Sequence, residues 1–352
     1  LIMVGILERG QSKSNRIAYI DAAKGIGILL MILGHTGMYG LPVVMHKMIY
    51  SFHMPLFFII SGFLFNTKKY ENVAFSKFIK REFIKYIIPY FVFAFINLVR
   101  CILFDLYNGG LSISVITEDL LKYIPGILYC YADIDHMPNC SPIWFLMCLF
   151  LSRIVYFCIK KYLKKGSNFI CLIFPVISYI LSAFVPFILP FRIATVPCSV
   201  AFMALGNIIK NHKILEKSKL WYACVAIAGL VVSCFNIDDV GLSESTYSKP
   251  LYFIMFLFTS VLVSYSIMLI VSRAAFLQNK FFVFLGSTSI TAIGYNYFLR
   301  TFTGELYYFI PFISSIPMNW MTSFVLTVLF TVLLCLLSRK KLFKIPLCGK
   351  FS

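Results

Sequence analysis

The sequence predicts an all-α, polytopic integral membrane protein with about ten transmembrane helices and both termini in the cytoplasm. Three observations carry this. Hydrophobic residues make up 60% of the 352 and charged residues only 13%, about half the charged share of an ordinary soluble domain. The apolar residues come in long blocks, each long enough or nearly so to cross a bilayer as a helix. The basic residues fall on one side of those blocks.

Taken in order, a basic segment at 1–16 (Arg9, Lys13, Arg16) leads into the first block, 20–39. The second, 48–65, contains His53 and Pro55. Lys68, Lys69, Lys77, Lys80, Arg81 and Lys85 separate it from the third, 86–104. An outer loop at 106–141, expected to fold as a small cap, carries Glu118, Asp119, Asp133 and Asp135. Block 143–159 ends in Lys160, Lys161, Lys164 and Lys165. Blocks 169–190 and 194–209 form a pair that ends in Lys210, Lys213, Lys217 and Lys219. Block 220–235 leads to an acidic outer loop with Asp238, Asp239 and Glu244, and 250–271 returns to Arg273 and Lys280. Block 281–299, interrupted like 194–209 by polar residues, precedes 319–338 and the basic tail at 339–352. Lys and Arg therefore alternate with acidic or uncharged loops, the positive-inside pattern. The net charge of +18 reports topology rather than nucleic-acid binding. Residues 1–352 read as a single domain in the cytoplasmic (inner) cell membrane.

Most cysteines lie in apolar blocks, where they act as small hydrophobes. Cys130 and Cys140 share the outer loop and can pair in an oxidising compartment. No zinc spacing occurs, and the "DIDH" at 133–136 reads as a solvated acidic loop before it reads as a metal site.

Ionisable groups at membrane depth are costly and mark sites. The first block, "YIDAAKGIGILLMILGHTG", holds Asp21, Lys24 and His35. Eleven residues apart, Lys24 and His35 share a helix face, with His35 about 16 Å further along the axis. Asp21 lies slightly to one side, placed to orient His35. Gly25 and Gly27 clear room for a neighbouring helix or a ligand. A cation at the inner surface with an imidazole three turns deeper suits an acyl-coenzyme A, whose phosphates and thioester lie at opposite ends of an extended arm. Lys24 fits equally well as a side chain snorkelling to lipid phosphates. His53 enters from the outer side at a similar depth, and Pro55 beside it frees a backbone carbonyl for a polar partner. Two imidazoles at one depth point to a polar pocket in which one acts as general base. Arg100 and Arg153 need partners or a water-filled cavity, and Asp105 can serve Arg100.

The runs "RIAYIDAAKGIGILLMILGHT" and "FHMPLFFIISGFLF" closely resemble the membrane acyltransferase-3 family, in its fucose O-acetylase-like branch. The likeness continues through "KFIKREFIKYIIPYFVF" at 77–93, "SPIWFLMCLF" at 141–150 and, more weakly, "LGSTSITAIGYNYF" at 285–298. The resemblance implies transfer of an acyl group, most often acetyl, from cytoplasmic acyl-CoA to a hydroxyl of a cell-envelope glycan, with His35 as base and His53 assisting. It further implies that Lys24, Lys80, Arg81 and Lys85 hold donor phosphates, and that Tyr90 and Trp144 line the acceptor route. Two departures stand out. Glu82 and Lys85 occupy the spacing at which much of the family has two arginines, and Asn296 stands near where many relatives carry a His, as an amide able to orient an acceptor. The competing reading is a transporter or flippase for a lipid-linked sugar or small metabolite, which the same helices and buried charges also suit.

Overall fold

The computed structural model describes residues 17–109, 112–131, 133, 135–138, 140–163, 166–185, 187–236, 242, 249–309 and 317–340. Arg9, Lys13, Arg16, Lys164, Lys165, Asp238, Asp239, Glu244 and the tail beyond Lys340 lie outside these residues. Among the described residues every regular element is helical.

Helix α1 is Ala18–Gly34, α2 Val43–Tyr50 and α3 His53–Phe63. Helix α4, Phe75–Glu82, continues through a π-helical turn, Phe83–Ile87, into α5, Ile88–Gly109. Helix α6 is Ile113–Tyr129, α7 Trp144–Tyr162, α8 Phe174–Phe184, α9 Val196–Asn211 and α10 Val225–Cys234. Helix α11 is Pro250–Arg273, α12 Lys280–Ser287, α13 Ser289–Gly294, α14 Asn296–Phe309 and α15 Trp320–Ser338. Seven helical stretches are long and apolar enough to cross a membrane: Val43–Phe63, Phe75–Asn108, Ser141–Tyr162, Ser167–Phe184, Pro190–Asn211, Pro250–Arg273 and Trp320–Ser338. Of the ten apolar blocks, those at 20–39, 220–235 and 281–299 fall outside this set. The first two make shorter helices, and the third is cut into α12, α13 and α14 at Thr288 and Tyr295. The described part of the 106–141 segment is largely α6, packed on α5.

Helix α15 shows the inverted pattern of a lipid-facing span. Its buried residues are Ser323, Thr327, Thr331, Cys335 and Ser338, while Val325, Leu329 and Leu333 are exposed. Small and hydroxylated side chains face the protein, where close approach rather than the hydrophobic effect drives packing in lipid. The same logic fixes two helix pairs backbone to backbone. A Cβ on Gly25 would strike the Phe282 carbonyl, and one on Gly286 the Asp21 carbonyl, so α1 and α12 meet only because both are glycine. Gly62 and Gly206 seat α3 against α9 in the same way, through Met203 and Ile59.

The break between α2 and α3 explains Pro55. Lacking an N–H, Pro55 leaves the Ser51 carbonyl without its i+4 donor, and Ser260 on α11 donates to that oxygen at 2.6 Å. Ser260→Ala removes the substitute donor inside a fully buried contact. It is expected to lower stability by about 1–3 kcal/mol, read as a fall in melting temperature in detergent.

Two arginines within the helices, Arg153 and Arg100, pair with carboxylates. Arg153 on α7 donates to the Glu82 carboxylate at 2.6 Å and to Ser61 at 3.0 Å, and Glu82 is wholly buried. Arg100 pairs with Glu305 on α14, which corrects the expectation that Asp105 serves it: the partner lies 205 residues along the chain. Cys130 and Cys140 are buried free thiols.

Candidate active site

His35 closes α1 as its C-terminal cap. Its Nδ1 lies 2.7 Å from the Met31 carbonyl oxygen. A carbonyl only accepts, so Nδ1 carries the proton and Nε2 is left with its lone pair. His53 repeats the arrangement, with Nδ1 donating to the Ile49 carbonyl at 2.9 Å. The chain gives each imidazole the same device, a carbonyl four residues earlier that fixes tautomer and ring together. The two rings stand edge to face with centroids 6.3 Å apart.

Aromatic side chains enclose them. Tyr50 is 5.7 Å from His35 and 4.9 Å from His53, and it stacks on His46 at 4.0 Å. Gly34 makes room for it: a Cβ there would lie 3.0 Å from the Tyr50 ring and from Ile49. From the other side Tyr297 on α14 approaches His35 to 5.1 Å. Arg300, one turn on, donates to the His35 carbonyl at 3.1 Å, and its guanidinium carbon sits 4.0 Å over the Tyr297 ring. With Nδ1 committed to a carbonyl in each ring, the Nε2 of an uncharged imidazole here can take a proton from a hydroxyl.

The family model for an acyltransferase domain, acyltransferase-3, matches residues 17–340. The chain belongs to the acyltransferase-3 family. No curated protein and no solved structure matches it.

In this membrane acyltransferase the residues singled out from sequence fall into three places. His35 and His53 come together as described. Asp21 does not join them. Its carboxylate takes the Lys24 ammonium at 2.7 Å, one turn away on α1. The group that orients His35 is the Met31 carbonyl. Lys24 is partly buried in that pair.

The second place is the α4 end. Lys80 is exposed. Arg81 pairs with Glu82, and its guanidinium carbon lies 4.6 Å from the Tyr70 ring. Lys85 is exposed, with its ammonium 4.7 Å from the Tyr86 ring. Beside them Tyr70, Phe65, Phe157, Lys160 and Lys161 line a cavity of about 210 Å³. Glu82 thus sits between Arg81 and Arg153, bound to both.

The third place is the packing around α5. Tyr90 is fully buried and donates its hydroxyl to the Ile127 carbonyl at 2.6 Å, tying α5 to α6. Trp144 opens α7 and is buried edge-on to Phe145. Asn296 opens α14 and is buried next to Tyr297.

Sequence reasoning missed Tyr50, Tyr297, His46 and Arg300. The signal for two of them was local, since Tyr50 precedes His53 by three residues and Tyr297 follows Asn296. Among the described residues no three His, Cys, Asp or Glu side chains gather as a metal site. In the "DIDH" segment His136 and Asp133 pair with each other at 2.8 Å.

Proposed function

We propose that this protein transfers an acyl group, acetyl before any longer one, from cytoplasmic acyl-CoA to a hydroxyl of a cell-envelope glycan, with His35 Nε2 as general base. The observation that carries this is the locked tautomer of His35 beside an identically locked His53. The seven long apolar stretches, together with α1, α10 and the α12–α14 segment, make ten crossings of the inner membrane with both termini cytoplasmic. On that topology Lys24 stands toward the inner surface, with His35 deeper by about the length of the donor's arm.

The donor phosphates compete with Asp21 for Lys24 and engage Lys80, Arg81 and Lys85 at the same mouth. The acceptor hydroxyl approaches His35 from the outer side, past Tyr50 and His46. His35 Nε2 removes its proton as the oxygen attacks the thioester carbonyl carbon. The carbon–sulfur bond then breaks, and the thiolate takes the proton back from the imidazolium. His53, also a bare acceptor, receives a hydrogen bond from a neighbouring hydroxyl of the glycan.

Purified protein supplied with acetyl-CoA and methyl glycosides is expected to release free thiol, with mass spectrometry of the sugar giving the acyl group and its position. A protein that carries the sugar across vesicles and never consumes thioester is the transporter instead.

A further inference from the structure

Asn296 is 1% exposed, and neither its side-chain nitrogen nor its side-chain oxygen has a hydrogen-bond partner. A buried primary amide with both ends unmatched is unfavourable, and such a group calls for a ligand or water to complete it. It also sits at a break between two helices. Helix α13 ends at Gly294 and α14 begins at Asn296, so the N–H groups of this opening turn have no acceptors within α14 and the positive end of its dipole points the same way.

Its neighbours on α14 give its direction. Tyr297 touches the His35 ring and Arg300 binds the His35 carbonyl. Asn296 shares the face of Arg300, four residues on. Tyr295 and Phe298 turn instead to α5, where Phe93 lies 5.0 Å from Tyr295 and the Arg100 guanidinium 5.6 Å from Phe298. Along the axis Asn296 precedes Arg300 by about 6 Å. Because α12 meets α1 at Asp21 and Gly25, the chain climbs from that end of α1 toward His35. Asn296 therefore lies between the Lys24 end and His35, along the route that the acyl-transfer reading gives the thioester. His35 and His53 spend their Nδ1–H on backbone carbonyls, so an uncharged imidazole has no second N–H to donate. The Asn296 amide does.

We propose that Asn296, with the opening turn of α14, binds the acyl carbonyl oxygen of the donor and holds its negative charge during attack. This rests on the acyl-transfer reading above. As the hydroxyl oxygen bonds to the carbonyl carbon, the carbon–oxygen π pair moves onto oxygen and meets the Asn296 Nδ2–H. When the carbon–sulfur bond breaks, the pair returns. The Arg300 guanidinium, a turn further on, adds positive potential at the same place, and a donor already in position gains most in such a dry setting.

The test uses the full chain in lipid nanodiscs, with acetyl-CoA and methyl glycosides as substrates. Asn296→Ala is expected to lower kcat for thiol release by about 10²–10³-fold. KM for acetyl-CoA should stay within about twofold, and the melting temperature should not fall. Asn296→Asp, nearly the same shape but carrying a charge that repels an oxyanion, is expected to lose at least as much. An Asn296→Ala enzyme that turns over at the wild-type rate overturns the proposal. So does a rate loss that follows a fall in melting temperature in both variants, which would mark a structural or water-binding amide. If wild-type protein releases no thiol, the acyl-transfer reading fails with it. An active wild type with an indifferent Asn296 removes this subsite alone.

Discussion

His35→Ala is expected to lower kcat for thiol release by about 10²–10⁴-fold, the usual worth of a positioned general base. The loss should come without unfolding, and the local structure gives the reason. The Met31 carbonyl that holds the imidazole also accepts the His35 backbone N–H at 3.1 Å, so removing the ring orphans no buried acceptor. The carbonyl of residue 35 still receives Arg300. The Gly25–Gly286 contact that ties α1 to α12 lies three turns away. Paired measurements of thiol release and melting temperature separate chemistry from folding. A variant that keeps its rate would end the case for His35 as the base.

Arg153→Ala is expected to destabilise by about 3–5 kcal/mol, because it leaves the wholly buried Glu82 carboxylate without its buried cation. Arg81 remains beside Glu82 but is largely exposed. The pair also joins α4, α7 and α3, since Arg153 reaches Ser61, so three helices loosen together. Replacing both partners, Glu82→Leu with Arg153→Met, is expected to recover most of the loss, as an apolar substitute often does for a buried pair. Unfolding in detergent checks both. A double variant as unstable as Arg153→Ala alone would mean that the charges supply specificity no apolar contact replaces.

Much of this architecture could be read from one-dimensional pattern because lipid imposes it: backbone groups must be satisfied within a helix, so long apolar blocks become helices. The meeting of His35 and His53 was legible for a related reason, since both are anomalies in such blocks. Pro55 announced an orphaned carbonyl correctly. What the pattern could not reveal was the partner, because Ser260 is an ordinary serine in an apolar run 209 residues from Ser51. Arg100 shows the same limit. Asp105 is near in sequence, but five residues along a helix put it on a different face, and Glu305 arrives from another helix, α14. Asp21 was misread for a simpler reason. Helical phase placed it near the His35 face, but Lys24 stands one turn away and claims the carboxylate. The interruption of 281–299 was visible as polar residues. That it would bring a tyrosine and an arginine to His35 depends on how α14 packs, which no local spacing encodes.

The matched charges have an electrical consequence. A lone ion midway across an energised membrane feels a pull of about 2.3 kcal/mol per 100 mV. Asp21 and Lys24 form a doublet whose opposite signs sit 2.7 Å apart, so the field acting on it nearly cancels; Glu82, bound by both Arg81 and Arg153, leaves one positive charge over. The Glu82 cluster therefore feels a membrane potential that the Asp21–Lys24 pair barely registers.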